Sequence, residues 1–180
     1  SLRVKGINVE VGKAGTPPGD LELVAPRQES PLPFSLVGAT GEPLPANGAM
    51  FVASRENTKD GERLSFRYRG SAGEVEKSFV LGPDGRIDVA VAVAGQKNFN
   101  LLLGPGLRAR TAAELASRFE LRRAVWSAAG EVETLDPGKA KETLEIAGEA
   151  LDWVGLEDTY FLTAVVPLRP VSKVRFRPVL

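Results

Sequence analysis

Three pairs of carboxylates have the residue types and spacing that come closest to acid–base chemistry. They are Glu157/Asp158, Glu131/Glu133 and Glu74/Glu76. Acid–base catalysis by two carboxyl groups requires different environments, with the pKa of one group raised. Neighbours on a strand point to opposite faces, which separates the first pair, while the other two pairs share a face but lie in polar stretches. We interpret all three pairs as solvated carboxylates and predict no catalytic residue.

The chain contains no histidine and no cysteine. This removes the commonest general base and the commonest metal ligand, and it excludes Ser-His-Asp and Cys-His catalysis. A zinc site would need carboxylates alone, which is unusual. The glycine-rich stretch Gly104-Pro105-Gly106 lacks the Lys-Ser/Thr that follows in a phosphate-binding P-loop, so we interpret it as a tight connection. We therefore expect no metal, no cofactor and no enzymatic activity, with a hydrolase or epimerase as the remote alternative.

Composition and charge describe an ordinary globular chain. Of 180 residues 43% are hydrophobic, which suffices for one domain, residues 1–180, with a real core. Lys plus Arg and Asp plus Glu each number 23, and this zero net charge argues against a nucleic-acid partner. No apolar run approaches the roughly 18 residues that span a bilayer, and no signal peptide is visible. The residues alone thus predict a soluble domain.

Turn signals recur about every ten residues and separate short stretches of alternating polarity. Asp60-Gly61 and Gly82–Gly85 are typical hairpin turns, and Arg63–Arg69 and Leu121–Ala128 alternate as strands do. This pattern predicts an all-β sandwich. The one clear helical pattern, Thr111–Phe119, begins with a capping box.

The most apolar run of the chain is Tyr160–Val166, seven residues without a charge. Its length and its β-branched and aromatic residues predict a strand that is buried on both faces and ends at Pro167. Glu157-Asp158 would form the turn before it, and Trp153 would lie across the end of the core. We predict a structural core that contains Trp153, Tyr160, Phe161 and Leu162.

Four cations follow this run, at Arg169, Lys173, Arg175 and Arg177. Two interpretations remain open for them. They face a membrane, where each contributes about 1 kcal/mol near anionic headgroups. Alternatively, they are the charges of an edge strand that resists pairing with other edges. Arg63, Arg67 and Arg69 have a similar ambiguity, between a solvated sheet face and a binding patch.

The segment from Trp153 to Pro167, W-V-G-L-E-D-T-Y-F-L-T-A-V-V-P, resembles a segment near the end of the large periplasmic domain of YidC, the bacterial membrane protein insertase. Weaker similarities to the same family follow the same order at Leu21–Val24, Pro33–Leu36 and Glu76–Val93. The chain has no transmembrane segment and stops before the family's insertase core. We therefore expect it to be the periplasmic piece of that membrane protein.

The resemblance implies a fold, a function and a location. The fold is a twisted β-supersandwich with small helices and galactose-mutarotase-like architecture, although mutarotases rely on histidines that this chain lacks. The function is that of a non-enzymatic periplasmic domain of an inner-membrane protein insertase and chaperone, which helps to insert and fold membrane proteins alone or with the Sec translocon. The implied partners are Sec accessory subunits, nascent membrane proteins and, through the missing transmembrane segments, the bacterial inner membrane.

A carbohydrate- or peptide-binding β-sandwich is the alternative function. A sugar site needs exposed aromatic side chains beside carboxylates and amides. The available tryptophans and tyrosines are Trp126, Trp153, Tyr68 and Tyr160. Two of them exposed in one cleft would favour this alternative.

Overall fold

The structure of the chain is a computed structural model that is mostly β-sheet. It describes residues 3–7, 19–22, 32–71, 73–96, 98–103, 116, 122–136, 140, 142–159 and 161–177. The strands are β1 (Arg3–Ile7), β2 (Gly19–Glu22), β3 (Leu36–Gly38), β4 (Val52–Thr58), β5 (Gly61–Gly70), β6 (Gly73–Leu81), β7 (Ile87–Val93), β8 (Phe99–Leu101), β9 (Arg122–Ala128), β10 (Glu131–Leu135), β11 (Leu144–Ala147), β12 (Leu151–Asp158), β13 (Leu162–Val165) and β14 (Lys173–Phe176). Short 3-10 helices span Pro45–Gly48 and Gly148–Ala150. The described strand pairs are all antiparallel, and the prediction of an all-β sandwich is confirmed.

Contacts divide the chain into two compact units. One unit comprises residues 1–30 and 105–180, and the other comprises residues 31–104. We call them the outer unit and the central unit, after their positions along the chain. One domain over residues 1–180 stays a prediction. Of the predicted helix Thr111–Phe119 only Ala116 is described, and it is helical; the rest lies outside the described residues.

The central unit contains a four-stranded meander in the order β4-β5-β6-β7. The hairpin turns predicted at Asp60-Gly61 and at Gly82–Gly85 join these strands as expected. The β3–β8 pair and the helix Pro45–Gly48 cover one face of this sheet. Four side chains form the buried cluster between them, Leu36, Leu44, Ala46 and Val75.

A side-chain amide fixes the most buried residue of the central unit. Asn47 Oδ1 accepts a hydrogen bond from Leu36 N at 2.8 Å, and Asn47 Nδ2 donates to Leu36 O at 2.8 Å. The backbone of Leu44 also donates to Leu36 O, at 2.9 Å. Leu36 has no solvent exposure, so its N–H group depends on Asn47 for a partner.

Lys77 is a half-buried cation on the covered side of the same sheet. Its Nζ donates to Phe34 O at 2.9 Å and lies 5.5 Å from the centre of the Phe51 ring. Phe34 has a φ of 64°, which is unusual for a bulky residue. Its ring also meets the Phe79 ring edge-on at 5.1 Å. Hydrogen bonds and ring contacts thus hold this residue in a strained conformation.

The burial of Lys77 predicts a specific alkaline pH dependence of stability. Burial lowers the pKa of Lys77 below its ordinary value of 10.5, because the charged form is poorly solvated. Between the lowered pKa and 10.5 the unfolded chain binds more protons than the folded one, so the free energy of unfolding should rise with pH there. Urea denaturation at several alkaline pH values measures this. In Lys77→Met the free energy of unfolding should rise less over this pH range. An unchanged rise would show that Lys77 does not cause the pH dependence.

The outer unit is organised around β9. Its four-stranded sheet has the order β10-β9-β12-β13, so β9 and β12 are central and β10 and β13 are edges. Four consecutive residues of β9, 124 to 127, are buried. Trp126 is 6% exposed, and its ring lies 5.7 Å from that of Phe176 on β14, so the β11–β14 pair covers this face. The predicted strand Leu121–Ala128 is confirmed, and it contains the core tryptophan.

The apolar run was placed wrongly from the sequence. The predicted strand Tyr160–Val166, buried on both faces, is instead the short edge strand β13, in which three of four residues are exposed. Glu157 and Asp158 do not form a turn, because β12 continues through both of them. The apolar composition of the run indicated a central strand, but an edge strand has a neighbour on one side only, which leaves its side chains more exposed.

A two-residue turn joins β9 to β10. Ala129 and Gly130 have positive φ angles of 53° and 81°, as in the turns whose twist matches a hairpin. Asp152 lies at a register shift of β12 and supports this turn, since its Oδ2 accepts from Ser127 Oγ at 2.8 Å and Gly130 N at 3.0 Å. The turn needs a left-handed backbone at a position occupied by alanine.

Ala129→Gly should therefore stabilise the outer unit. An alanine in the left-handed region costs about 1 kcal/mol relative to glycine, so the free energy of unfolding should rise by about that amount. Urea denaturation followed by tryptophan fluorescence measures the change. The neighbouring variant Ala128→Gly, inside the strand, should lower stability by about 0.5–1 kcal/mol. A loss of stability in Ala129→Gly would contradict this account of the turn.

Candidate functional site

The three carboxylate pairs do not form a catalytic arrangement. Glu74 and Glu76 form ion pairs with Arg69 at 2.7 Å and Arg67 at 3.1 Å on the next strand. Glu131 and Glu133 are exposed on the edge strand β10. Glu157 forms an ion pair with Arg123, whereas Asp158 Oδ1 accepts from Phe161 N at 2.9 Å. Glu157 and Asp158 lie on opposite faces of β12, as their adjacency predicted.

The carboxyl pKa shifts that the structure produces are downward. The hydrogen bond from Arg69 lowers the pKa of Glu74, and the hydrogen bonds from Lys173 and Arg175 lower that of Glu145. The Ser127 hydroxyl and the Gly130 amide do the same for the pKa of Asp152. A general acid needs the opposite shift. These groups therefore act as anions that link neighbouring strands within one sheet.

Within the described ranges, no three acidic residues cluster closely enough to hold a metal ion. Nor does this part of the chain contain a helix with the length and apolarity needed to cross a membrane. Trp126 is buried, and Trp153 and Tyr68 are half-buried, while Tyr160 lies outside the described residues. Among the aromatics that are described, the pair of exposed rings that a sugar site requires is therefore missing.

The predicted core residues around β13 have different environments. Trp153 and Phe161 are half-buried, and Leu162 is 52% exposed, so the prediction that Leu162 is a core residue is wrong. Leu162 lies at the sheet edge, and its side chain extends over Gly155 of β12. A Cβ atom added to Gly155 would lie 3.1 Å from Leu162 Cδ1. That contact shields only one side of the leucine. The fourth predicted core residue, Tyr160, lies outside the described residues.

The four C-terminal cations divide into two kinds. Lys173 Nζ and Arg175 Nε donate to the two carboxylate oxygens of Glu145 on β11, at 2.7 Å and 2.9 Å. Arg169 and Arg177 lie outside β14 and are exposed. Val174 and Phe176 alternate with the two paired cations, and Phe176 faces the core. The strand therefore presents its cations on the side opposite the core, with one carboxylate among them.

The arginine face of the central unit is an array of ion pairs. Besides the two pairs already given, Arg63 Nη1 lies 2.9 Å from Glu56 Oε1 on β4. Each of the three arginines thus has a carboxylate partner on an adjacent strand. Since the charges cancel locally, the structure supports the solvated sheet face for these residues and not the binding patch.

Three features were missed in the sequence: the hydrogen bonds of Asn47 to Leu36, the half-buried Lys77 and the ion pairs of Glu145. Each depends on a partner far along the chain, such as Phe34 for Lys77 or β14 for Glu145. A lone Asn, Lys or Glu has no local pattern that indicates such a partner. The Asn-Gly at residues 47–48 is a local signal for a turn or loop, but it does not indicate Leu36 as the partner of Asn47.

Within each unit a four-stranded sheet packs its apolar side against a two-stranded pair, and this layering defines the class of the protein, an all-β sandwich. Comparison with protein families gives a more specific result, because the model described as YidC periplasmic domain matches residues 13–178. The chain belongs to the YidC periplasmic domain family. It is thus a domain of a membrane-associated insertase that acts on membrane proteins. Searches of curated proteins and of solved structures found no match.

Proposed function

We propose that this chain is the non-enzymatic periplasmic domain of an inner-membrane protein insertase and chaperone. It helps membrane proteins to insert and fold, both alone and together with the Sec translocon. Its partners are nascent membrane proteins and Sec accessory subunits. The domain acts through its surface and does not transform a substrate.

The family match over residues 13–178 is the observation that supports this proposal most. The chemistry of the described residues agrees with it. The chain has no histidine or cysteine, and its candidate carboxylates are exposed, held in ion pairs or hydrogen-bonded. A β-sandwich of this kind offers sheet edges and faces for contact.

Two measurements on the full-length insertase test the proposal. Affinity purification in mild detergent should retain Sec accessory subunits, and an insertase without residues 13–178 should lose them. Changing the exposed pair Glu131 and Glu133 to Gln should leave membrane-protein insertion into vesicles unchanged. An acid–base role would instead reduce the rate about 100-fold or more. Such a reduction, or equal retention of Sec subunits without the domain, would contradict the proposal.

We also propose that the four C-terminal cations face anionic lipid headgroups. Arg169 and Arg177 are exposed, and Lys173 and Arg175 lie on the side of β14 away from Phe176. Residues 161 to 177 contain these four cations and no acidic residue. Glu145 neutralises part of this charge, so it should weaken the attraction of the strand to lipid.

Binding of the chain to vesicles that contain phosphatidylglycerol tests this arrangement. Binding should be salt-dependent and lost when all four cations become Ser. Glu145→Gln should strengthen it about five-fold, because one negative charge is removed beside two cations. Glu133→Gln makes the same charge change on β10 and should have a smaller effect. Absence of binding at low salt would leave the protection of a sheet edge as the role of these cations.

A further inference from the structure

The outer edge of β13 is an unusual sheet edge. Edge strands of soluble proteins are usually protected by charges, prolines or bulges, because their free N–H and C=O groups pair with other strands. Three of the four edges of the two four-stranded sheets follow this rule. β4 contains Arg55 and Glu56, β7 contains Asp88, and β10 contains Glu131 and Glu133. β13 contains no charge at all.

The absence of charge extends beyond the strand itself. Ten consecutive residues, 159 to 168, separate Asp158 from Arg169 without a charged side chain. Within this stretch Leu162 is 52% exposed and Val166 is 61% exposed. Pro167 is the first proline after the strand, so it limits the length of the edge but does not block it. Residues 162 to 166 therefore contain neither a proline nor a charge that would protect the edge.

The pairing with β12 indicates which backbone groups point outward. Asp158 N donates to Phe161 O at 2.8 Å, which makes these two residues a hydrogen-bonded pair. Pairs alternate along an antiparallel ladder, so the next pair, Glu157 with Leu162, is not hydrogen-bonded. The same holds for Gly155 with Ala164. The N–H and C=O groups of Leu162 and Ala164 therefore point away from β12, where the described residues provide no neighbouring strand.

We propose that β13 binds an extended, uncharged polypeptide segment of a partner, which adds a fifth strand to the sheet. The outward backbone groups of Leu162 and Ala164 select a strand, because only an extended backbone matches their spacing. The exposed apolar side chains and the absence of charge select an apolar segment. A charged segment is not favoured, since this edge offers no opposite charge.

The proposal rests on the proposed function only for the source of the strand. Membrane proteins that are being inserted contain long apolar segments, and before such a segment becomes a helix its backbone lacks partners. A strand partner on β13 satisfies those backbone groups and covers apolar side chains. The domain then holds a segment by its backbone, with little dependence on its sequence.

A proline substitution tests the edge without changing the ladder to β12. Ala164→Pro removes an outward N–H, and prolines are tolerated at such edge positions. Val132→Pro makes the matched change on the edge strand β10, where Val132 is 63% exposed. The pair Ala128–Glu131 closes the turn and is hydrogen-bonded, so the next pair, Ser127–Val132, is not, and the N–H of Val132 also points away from the sheet. Ala164→Lys keeps the backbone and adds the missing charge. All three variants should keep the urea unfolding midpoint near that of the unmodified chain.

The probe is a synthetic peptide of eight alternating Val and Thr residues with a Lys at each end for solubility. We expect it to slow amide hydrogen exchange at Leu162 and Ala164 of the 180-residue chain. Its affinity should fall at least ten-fold in Ala164→Pro and Ala164→Lys, and it should be unchanged in Val132→Pro. Equal affinity in the Ala164 and Val132 variants would overturn the proposal.

Two other occupants of the edge give distinct results. If the Leu162 and Ala164 amides exchange slowly without peptide at micromolar concentration, the chain itself already pairs with β13 and the proposal is wrong. If the chain forms dimers that Ala164→Pro abolishes, the edge binds a second copy and the proposal is also wrong. Either result would leave the purification test of the proposed function unaffected, so the two failures are distinguishable.

Discussion

Trp126→Ala should lower the free energy of unfolding of the outer unit by about 3–5 kcal/mol. The side chain is 6% exposed at the centre of β9, opposite Val154 of β12 and in contact with Phe176 of β14. Its removal leaves a cavity between the four-stranded sheet and the β11–β14 pair that neither sheet can fill without moving. This is the largest effect of a single substitution that we expect.

The two tryptophans of the chain provide the measurement and its control. They lie on β9 and β12, so tryptophan fluorescence during urea denaturation reports on the outer unit. Trp126→Phe should restore part of the loss, because it keeps a ring against Phe176. Trp153→Ala should cost less, about 1–2 kcal/mol, because Trp153 is only half-buried. A larger loss in Trp153→Ala than in Trp126→Ala would show that the core of this unit lies elsewhere.

Asn47→Ala should destabilise the central unit by about 1–3 kcal/mol, the penalty of a buried N–H without a partner. The variant removes both hydrogen bonds to Leu36, whose O keeps a partner in Leu44 N while its N–H loses its own. Leu36 is completely buried, and the Asn47 side chain is the partner of its N–H group.

Amide hydrogen exchange at Leu36 measures this effect directly. In Asn47→Ala the Leu36 amide should exchange about 10- to 100-fold faster, in proportion to the loss of stability. Asn57→Ala removes the same side chain from the exposed face of β4 and should leave exchange at Leu36 unchanged. Unchanged exchange in Asn47→Ala would mean that Asn47 does not hold β3 in place.

Local chemistry explains which parts of the fold were predictable. Asp60-Gly61 and Gly82–Gly85 favour the backbone angles of their own turns. The β4–β5 and β6–β7 hairpins could therefore be predicted from these turn residues alone. The strand at residues 122–128 followed from the alternating polarity of Leu121–Ala128. Such signals need no information about distant residues.

The position of a strand within its sheet is not a local property. The run Tyr160–Val166 is more apolar than β9, yet β13 is an edge and β9 is central. Pairing with β10 and β12 on both sides buries β9, and these neighbours are determined by the whole chain. An uncharged strand at an edge contradicts the usual relation between polarity and exposure, which is why β13 is a candidate for binding.

Glu145 shows the same dependence on distant residues at the candidate membrane surface. It lies on β11, and its neighbours in the sequence do not indicate a cationic partner. Its partners Lys173 and Arg175 lie 28 and 30 residues further along the chain. The four cations were visible in the sequence, but their partial neutralisation required the register of β11 with β14.

Site-specific photo-crosslinking in intact membranes tests most directly whether this domain works by contact. A photoreactive residue is placed in the full-length insertase at Ala164, and in a second version at Val132 as a control. We predict crosslinks from Ala164 to a membrane protein whose synthesis is stalled during insertion. Crosslinks from Val132 should be weaker, and neither position should crosslink after the inserting protein is released from the ribosome. If neither these nor other exposed positions of the domain crosslink to the inserting protein, a function by direct contact is contradicted.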